Sequence, residues 1–150
     1  MDYMTLKLIH ILSSTILFGT GLGTAFYMWR AQLSGDLSTF RIVAKNVVLA
    51  DWIFTTPAVI IQPLTGIGMM HLAGFSWQQP WLFWSICLFI LVGACWLPVV
   101  FIQIKVAKLL ESDQPDLQRI KRLMFCWYSL GVPAFLGVIG IFYLMVSKAA

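Results

Sequence analysis

Charge is scarce in this chain, and that scarcity excludes most soluble folds. Only 11% of its 150 residues are charged, whereas 60% are hydrophobic. Soluble domains run near 45–50% apolar and about 25% charged. Histidine is nearly absent too, with two residues, and the three cysteines show no C-x-x-C spacing. That excludes a disulfide framework and a structural zinc site. H-E-x-x-H, P-loop and nucleophile-elbow motifs are likewise missing, so no hydrolytic or nucleotide-binding enzyme is indicated. Cys87, Cys95 and Cys126 all fall inside apolar stretches at different depths, where they read as small packing residues.

What is present is long apolar runs. About 20 apolar residues cross a hydrocarbon core of about 30 Å. Four such segments fit, at about 4–28, 47–70, 81–104 and 123–147. Within them the only charges are Lys7 in the first and Asp51 in the second. The first lacks a basic n-region, exceeds h-region length and has no A-x-A-like site, so it reads as a spanning helix rather than a signal peptide. The expectation is an all-α membrane protein, one domain over 1–150, folded as a four-helix up-and-down bundle.

The net charge of +4 is a topology signal and not a nucleic-acid patch. Arg30, Arg41 and Lys45 flank the first connection, and Lys105, Lys108, Arg119, Lys121 and Arg122 the third. The second, from His71 to Pro80, has no Lys or Arg. The positive-inside rule then places connections one and three in the cytoplasm and both termini outside, with only Lys7 and Lys148 as basic residues near that face. Trp77, Trp81 and Trp84 form an interfacial belt on the outer side, and Trp29 and Trp52 mark the inner one. Ser38 is a plausible N-cap leading into the second span, and the stretch Asp113–Asp116 reads as a turn with Asp116 capping the next helix. Lys105 and Lys108 suit the end of the third helix.

Polar groups inside a membrane are costly and usually face the bundle interior. In the second span Asp51, Thr55, Gln62, Thr65 and Met69 fall on one helical face, with Pro57 and Pro63 permitting kinks. Two readings stay open. Those residues knit helices together, through hydrogen bonds of about 0.6 to 2 kcal/mol each. Or they line a ligand site or proton path, with Asp51 at its cytosolic mouth and Arg30 or Lys105 near enough to offset its charge. In the first span Gly19 and Gly23 have G-x-x-x-G spacing, which favours close helix packing. Ser13, Ser14, Thr20, Gly21 and Thr24 accompany them.

His10 lies about 9 Å inside the outer boundary, with Ser13 or Ser14 available as a hydrogen-bond partner. An intramembrane histidine is a functional candidate by default. His71 ends the second span near the same face, so the two histidines are the candidate ligands of a haem iron. His71 should sit closer to the interface. Met69, Met70, Met145 or Lys7 are the other candidates for the second axial position.

The stretch 6–21, with His10 followed by Phe18-Gly19, resembles an uncharacterised family of predicted bacterial integral membrane proteins. That family is related to the copper-resistance D membrane domain and to HemJ-type protoporphyrinogen oxidases. The resemblance continues through Asp51-Trp52, Thr55-Thr56-Pro57, Gln62-Pro63-Leu64-Thr65-Gly66, Cys95-Trp96-Leu97-Pro98 and Gly131-Val132-Pro133-Ala134-Phe135, and so covers all four spans. It implies a bacterial inner-membrane protein. HemJ-type proteins bind haem b, and their Lys-x-x-His context corresponds to Lys7 and His10. Their Trp-Phe-Ala-Gly run and following Leu-Pro-Arg are missing, so the resemblance carries haem binding across better than protoporphyrinogen oxidation. Two functions follow. One is a haem b redox or electron-transfer protein, an oxidoreductase with a membrane redox partner or quinone. The other is an accessory subunit or small-solute carrier. Sites Ser14, Asp51, Thr55 and Gln62 would be the polar lining in either case, and homo-oligomers fit both.

Overall fold

The computed structural model describes residues 2–147, so Lys148 and Ala150 lie outside the described residues. It is helical throughout: α1 (Tyr3–Ser34), α2 (Leu37–Ala50), a π-helical turn (Asp51–Thr55), α3 (Thr56–Ala73), α4 (Pro80–Leu110) and α5 (Leu117–Ser147). The stretch Leu37–Ala73 forms one long rod, so four helices are long and apolar enough to cross a membrane. All overrun the minimal apolar segments, because the basic connections are mostly helical overhang.

The helix ends follow from local chemistry. Asp2 caps α1 through Thr5 N, and Gly35, at φ 70°, ends it in the left-handed region that a side chain would disfavour. Asp36 then caps α2, accepting from Ser38 N at 3.0 Å and Thr39 N at 3.1 Å. The N-cap is therefore Asp36 and not Ser38: α1 runs to Ser34, so the turn is only two residues long and the cap falls earlier. Asp116 does cap α5, accepting from Arg119 N at 3.0 Å. At the end of α4, Arg41 of α2 donates from Nε to Leu110 O at 2.6 Å, so an arginine from a neighbouring helix satisfies the terminal carbonyls.

Pairing is uneven. The extensive contacts are α4 with α5 and α1 with α3, while α2 packs on α4 and α1. Among the described residues α3 makes no substantial contact with α4 or α5. The buried core, including Met28, Phe40, Val47, Val106, Leu110, Ile120, Met124 and Trp127, sits towards the end that carries the basic connections. This basic end is closed; towards the opposite, aromatic end the α1–α3 and α4–α5 pairs part. Close approach within the pairs comes from Gly137, whose added Cβ would lie 2.6 Å from Val92 Cγ2, and from Gly68 against Leu6. Cβ atoms at Gly19 and Gly23 would meet nothing within 4 Å. The expected G-x-x-x-G seam is thus corrected: α1 turns those glycines away from its neighbours, and the tight contacts belong to α3 and α5.

Candidate functional site

Between the two helix pairs lies a cavity of about 780 Å³, lined almost wholly by apolar side chains. Phe18 stacks on Phe135 at 4.9 Å between ring centroids and meets Phe142 edge-on at 5.6 Å, forming an aromatic seam between α1 and α5. Phe75 and Trp81 meet edge-on near the aromatic end. Two polar stations interrupt these walls.

The first is built by α1 and α3. His10 Nδ1 lies 2.8 Å from Thr65 Oγ1. The Thr65 hydroxyl has one hydrogen, directed at Ile61 O 2.7 Å away, one helical turn back. A Thr65 hydroxyl that gives its hydrogen to Ile61 O can accept from Nδ1, and in that tautomer Nε2 keeps its lone pair. Gln62 Nε2 braces the same place, donating to His10 O at 2.7 Å and Ser13 Oγ at 2.6 Å. Gly66 packs beside the ring: a Cβ there would lie 3.5 Å from His10 Cε1, in ordinary van der Waals contact. Neither serine orients the imidazole, contrary to expectation. Ser13 and Ser14 donate to backbone carbonyls of their own helix, as membrane serines do when no better acceptor is near.

The second station lies at the basic end. Asp51, only 7% exposed, accepts from Thr55 Oγ1 at 2.7 Å and from Gln103 Nε2 of α4. Gln103, 1% exposed, in turn accepts from Trp127 Nε1 of α5 at 3.3 Å. The π-helical turn makes this geometry: Thr56 N–H reaches five residues back to Asp51 O, one residue before Pro57, which has no N–H to offer. Sequence reasoning missed Gln103 and Trp127; a glutamine in an otherwise apolar span was the available signal.

Among the described residues no cation pairs with Asp51, contrary to expectation. The ion pair that does form joins exposed Lys45 and Glu111 at 2.9 Å, and Arg30 and Lys105 are exposed. The α1–α3 register pairs His10 with Thr65 and Ser13 with Gln62, which sets Asp51 level with about Thr24. Arg30 is six residues further, about 9 Å along the axis, and outside reach.

Of the residues singled out from sequence, His10, Ser14, Asp51, Thr55, Gln62, Met69, Met145 and Lys7 line the cavity. Thr65 is buried behind His10. His71 is exposed and does not line the cavity; the register sets it six residues beyond His10, about 9 Å nearer the aromatic end. Cys87 is not in the lining either, and Cys126 is exposed.

No curated protein and no solved structure matches this chain. A family model does, over residues 4–149, and its description is "Predicted integral membrane protein (DUF2269)". The match spans all four apolar helices and both polar stations, and the chain belongs to that family.

Proposed function

We propose that this membrane protein binds haem b in the cavity between its helix pairs, where His10 would hold the iron, and that it has a redox or electron-transfer role. The observation that carries the reading is the His10–Thr65 contact at 2.8 Å, which anchors the ring through Nδ1 at the cavity wall. Metal-ligating histidines almost always donate their other N–H in this way. Among the described residues no three His, Cys, Asp or Glu side chains converge. One imidazole in apolar walls suits a metal whose remaining ligands come from a macrocycle. About 780 Å³ is also within the range of roughly 300–1,000 Å³ usual for small-molecule sites.

The residues present fit this group. His10 would hold the iron, Thr65 and Gln62 would fix the helix and ring that present it, and the aromatic seam would exclude water. Met69, Met70, Met145 and Lys7, all in the lining, are the other residues that could hold the group. Bound haem supplies one-electron chemistry. The electron partner is then a membrane protein or quinone. The positive-inside pattern supports an orientation with both termini on the non-cytoplasmic side, which in a bacterial inner membrane is the periplasm.

The visible spectrum of the detergent-purified protein from haem-replete cells tests the reading. A Soret band that His10→Ala removes is the expected result. A colourless wild-type protein, or an unchanged spectrum in His10→Ala, rules haem at His10 out. A second reading, a small-solute carrier, draws on one observation: the cavity continues past His10 to Asp51, about 21 Å along the axis. A colourless protein favours that reading.

A further inference from the structure

The distance between the two polar stations leaves the Asp51 end of the cavity to a role of its own. On α1, fourteen residues separate His10 from the level of Asp51, about 21 Å, further than one flat ligand at His10 spans. Asp51 is an almost fully buried carboxyl in an apolar bundle, held by two neutral donors and no cation. The other titratable groups in the cavity lining are Tyr3, Lys7, His10 and Tyr128. Lys7, the one cation among the lining residues described, sits about 25 Å away along the axis.

The two oxygens of this carboxyl are held by different kinds of partner. An indole N–H can only donate, so Trp127 fixes Gln103 Oε1 towards itself. Gln103 can then offer Asp51 Oδ2 only its NH2 group, and a proton on Oδ2 would face a donor. Thr55 is different, because a hydroxyl both donates and accepts. It now donates to Oδ1. Its alternative is the carbonyl four residues back, the choice that Thr15, Thr24 and Thr65 each make in this chain.

We propose that Asp51 is a proton-binding site, loaded on Oδ1 by reversal of the Thr55 hydrogen bond while Trp127 and Gln103 keep Oδ2 an acceptor. The carboxylate takes one proton from the cavity and becomes a neutral carboxylic acid. The new O–H donates to Thr55 Oγ1, and the Thr55 hydroxyl turns its own hydrogen to Asp51 O. Release reverses each movement. Thr55 is the switching partner and Gln103 a positioning residue. The site stands whatever occupies the cavity at His10.

Infrared difference spectra of the purified protein between acid and alkaline pH test this. The expected result is a carboxylic C=O band at the high frequency of a buried acid, absent at high pH and shifted on hydrogen–deuterium exchange. Asp51→Asn should lose it. Thr55→Val should move its frequency and titration midpoint, and Thr55→Ser should restore both. Where Asp51→Asn does not accumulate as folded protein, the Val and Ser pair decides. A wild-type protein without such a band, a band that survives Asp51→Asn, or a Thr55→Val variant that titrates as wild type overturns the proposal. The measurement needs no haem, so its failure and that of the haem reading are separate results.

Discussion

His10 and Thr65 are fifty-five residues apart in sequence, yet 2.8 Å separates Nδ1 from Oγ1. The contact ties α1 to α3 and sets which ring nitrogen faces the cavity. Replacing Thr65 by valine keeps the branched shape and removes the acceptor. The imidazole then loses its orienting bond, and ligand retention at His10 should fall on the order of tenfold, the usual cost of losing such a partner. Haem titration of the detergent-purified variant reads this out, and wild-type affinity in Thr65→Val would show that the contact does not orient the ligand.

His71 should behave differently. It is exposed at the end of α3 and outside the cavity lining. His71→Ala should leave the visible spectrum of the bound protein unchanged, whereas Lys7→Ala, Met69→Ala, Met70→Ala and Met145→Ala separate the other lining residues that could hold the group. A changed spectrum in His71→Ala would mean that α3 extends further into the cavity than its register implies.

Much of this molecule is legible in its sequence, and the boundary has physical causes. Spanning helices announce themselves because a bilayer leaves backbone groups no partner but their own helix. Asp51, Gln62 and His10 stand out because polar groups at such depth are rare. What periodicity cannot show is which helix faces which. The pairing of α1 with α3, and of α4 with α5, depends on side-chain fit at positions such as Gly68 and Gly137. Gln103 and Trp127 were overlooked for that reason: their role exists only once α4 and α5 bring them to Asp51. Pro57 signalled a break, but not that the break would be a π-helical turn placing Thr55 on the Asp51 carboxyl.

The proposed orientation gives a direct expectation. Reporter fusions after Ala150 should be active as periplasmic reporters, and fusions in the Ser112–Asp116 turn as cytoplasmic ones. The opposite pattern would exchange the two ends of the cavity and put Asp51 on the periplasmic side.

Asp36 predicts an acid-sensitive helix start. Hydrogen bonds from the Thr39 hydroxyl and the Ser38 and Thr39 amides hold its carboxyl below the ordinary carboxylate value. A group depressed in the folded state stabilises it above its unfolded value and loses that contribution as pH falls through the folded value. Amide exchange in the first turn of α2 should therefore quicken as the pH drops below the ordinary carboxylate range. Asp36→Asn keeps a capping oxygen without the charge and should flatten that dependence. An unchanged acid profile in Asp36→Asn would assign the sensitivity to another carboxyl.

Glycine offers a paired test of the helix packing. An alanine Cβ at Gly137 would lie 2.6 Å from Val92 Cγ2, closer than real carbon contacts allow. Valine is stiff about its first side-chain torsion, so Val92 has little freedom to turn aside and α4 and α5 must move apart. Overpacking of this kind costs about 1–3 kcal/mol. The pair that moves is the most extensive helix contact in the bundle and forms one wall of the cavity. Gly137→Ala should therefore lower the thermal midpoint in detergent and weaken ligand retention together. Gly19→Ala is the control: its Cβ would meet nothing within 4 Å, and alanine is favoured over glycine within a helix by about 0.5–1 kcal/mol. It should hold or raise the midpoint. If Gly19→Ala instead destabilises while Gly137→Ala does not, the tight seam runs along α1 after all, and the helix pairs described above are wrongly matched.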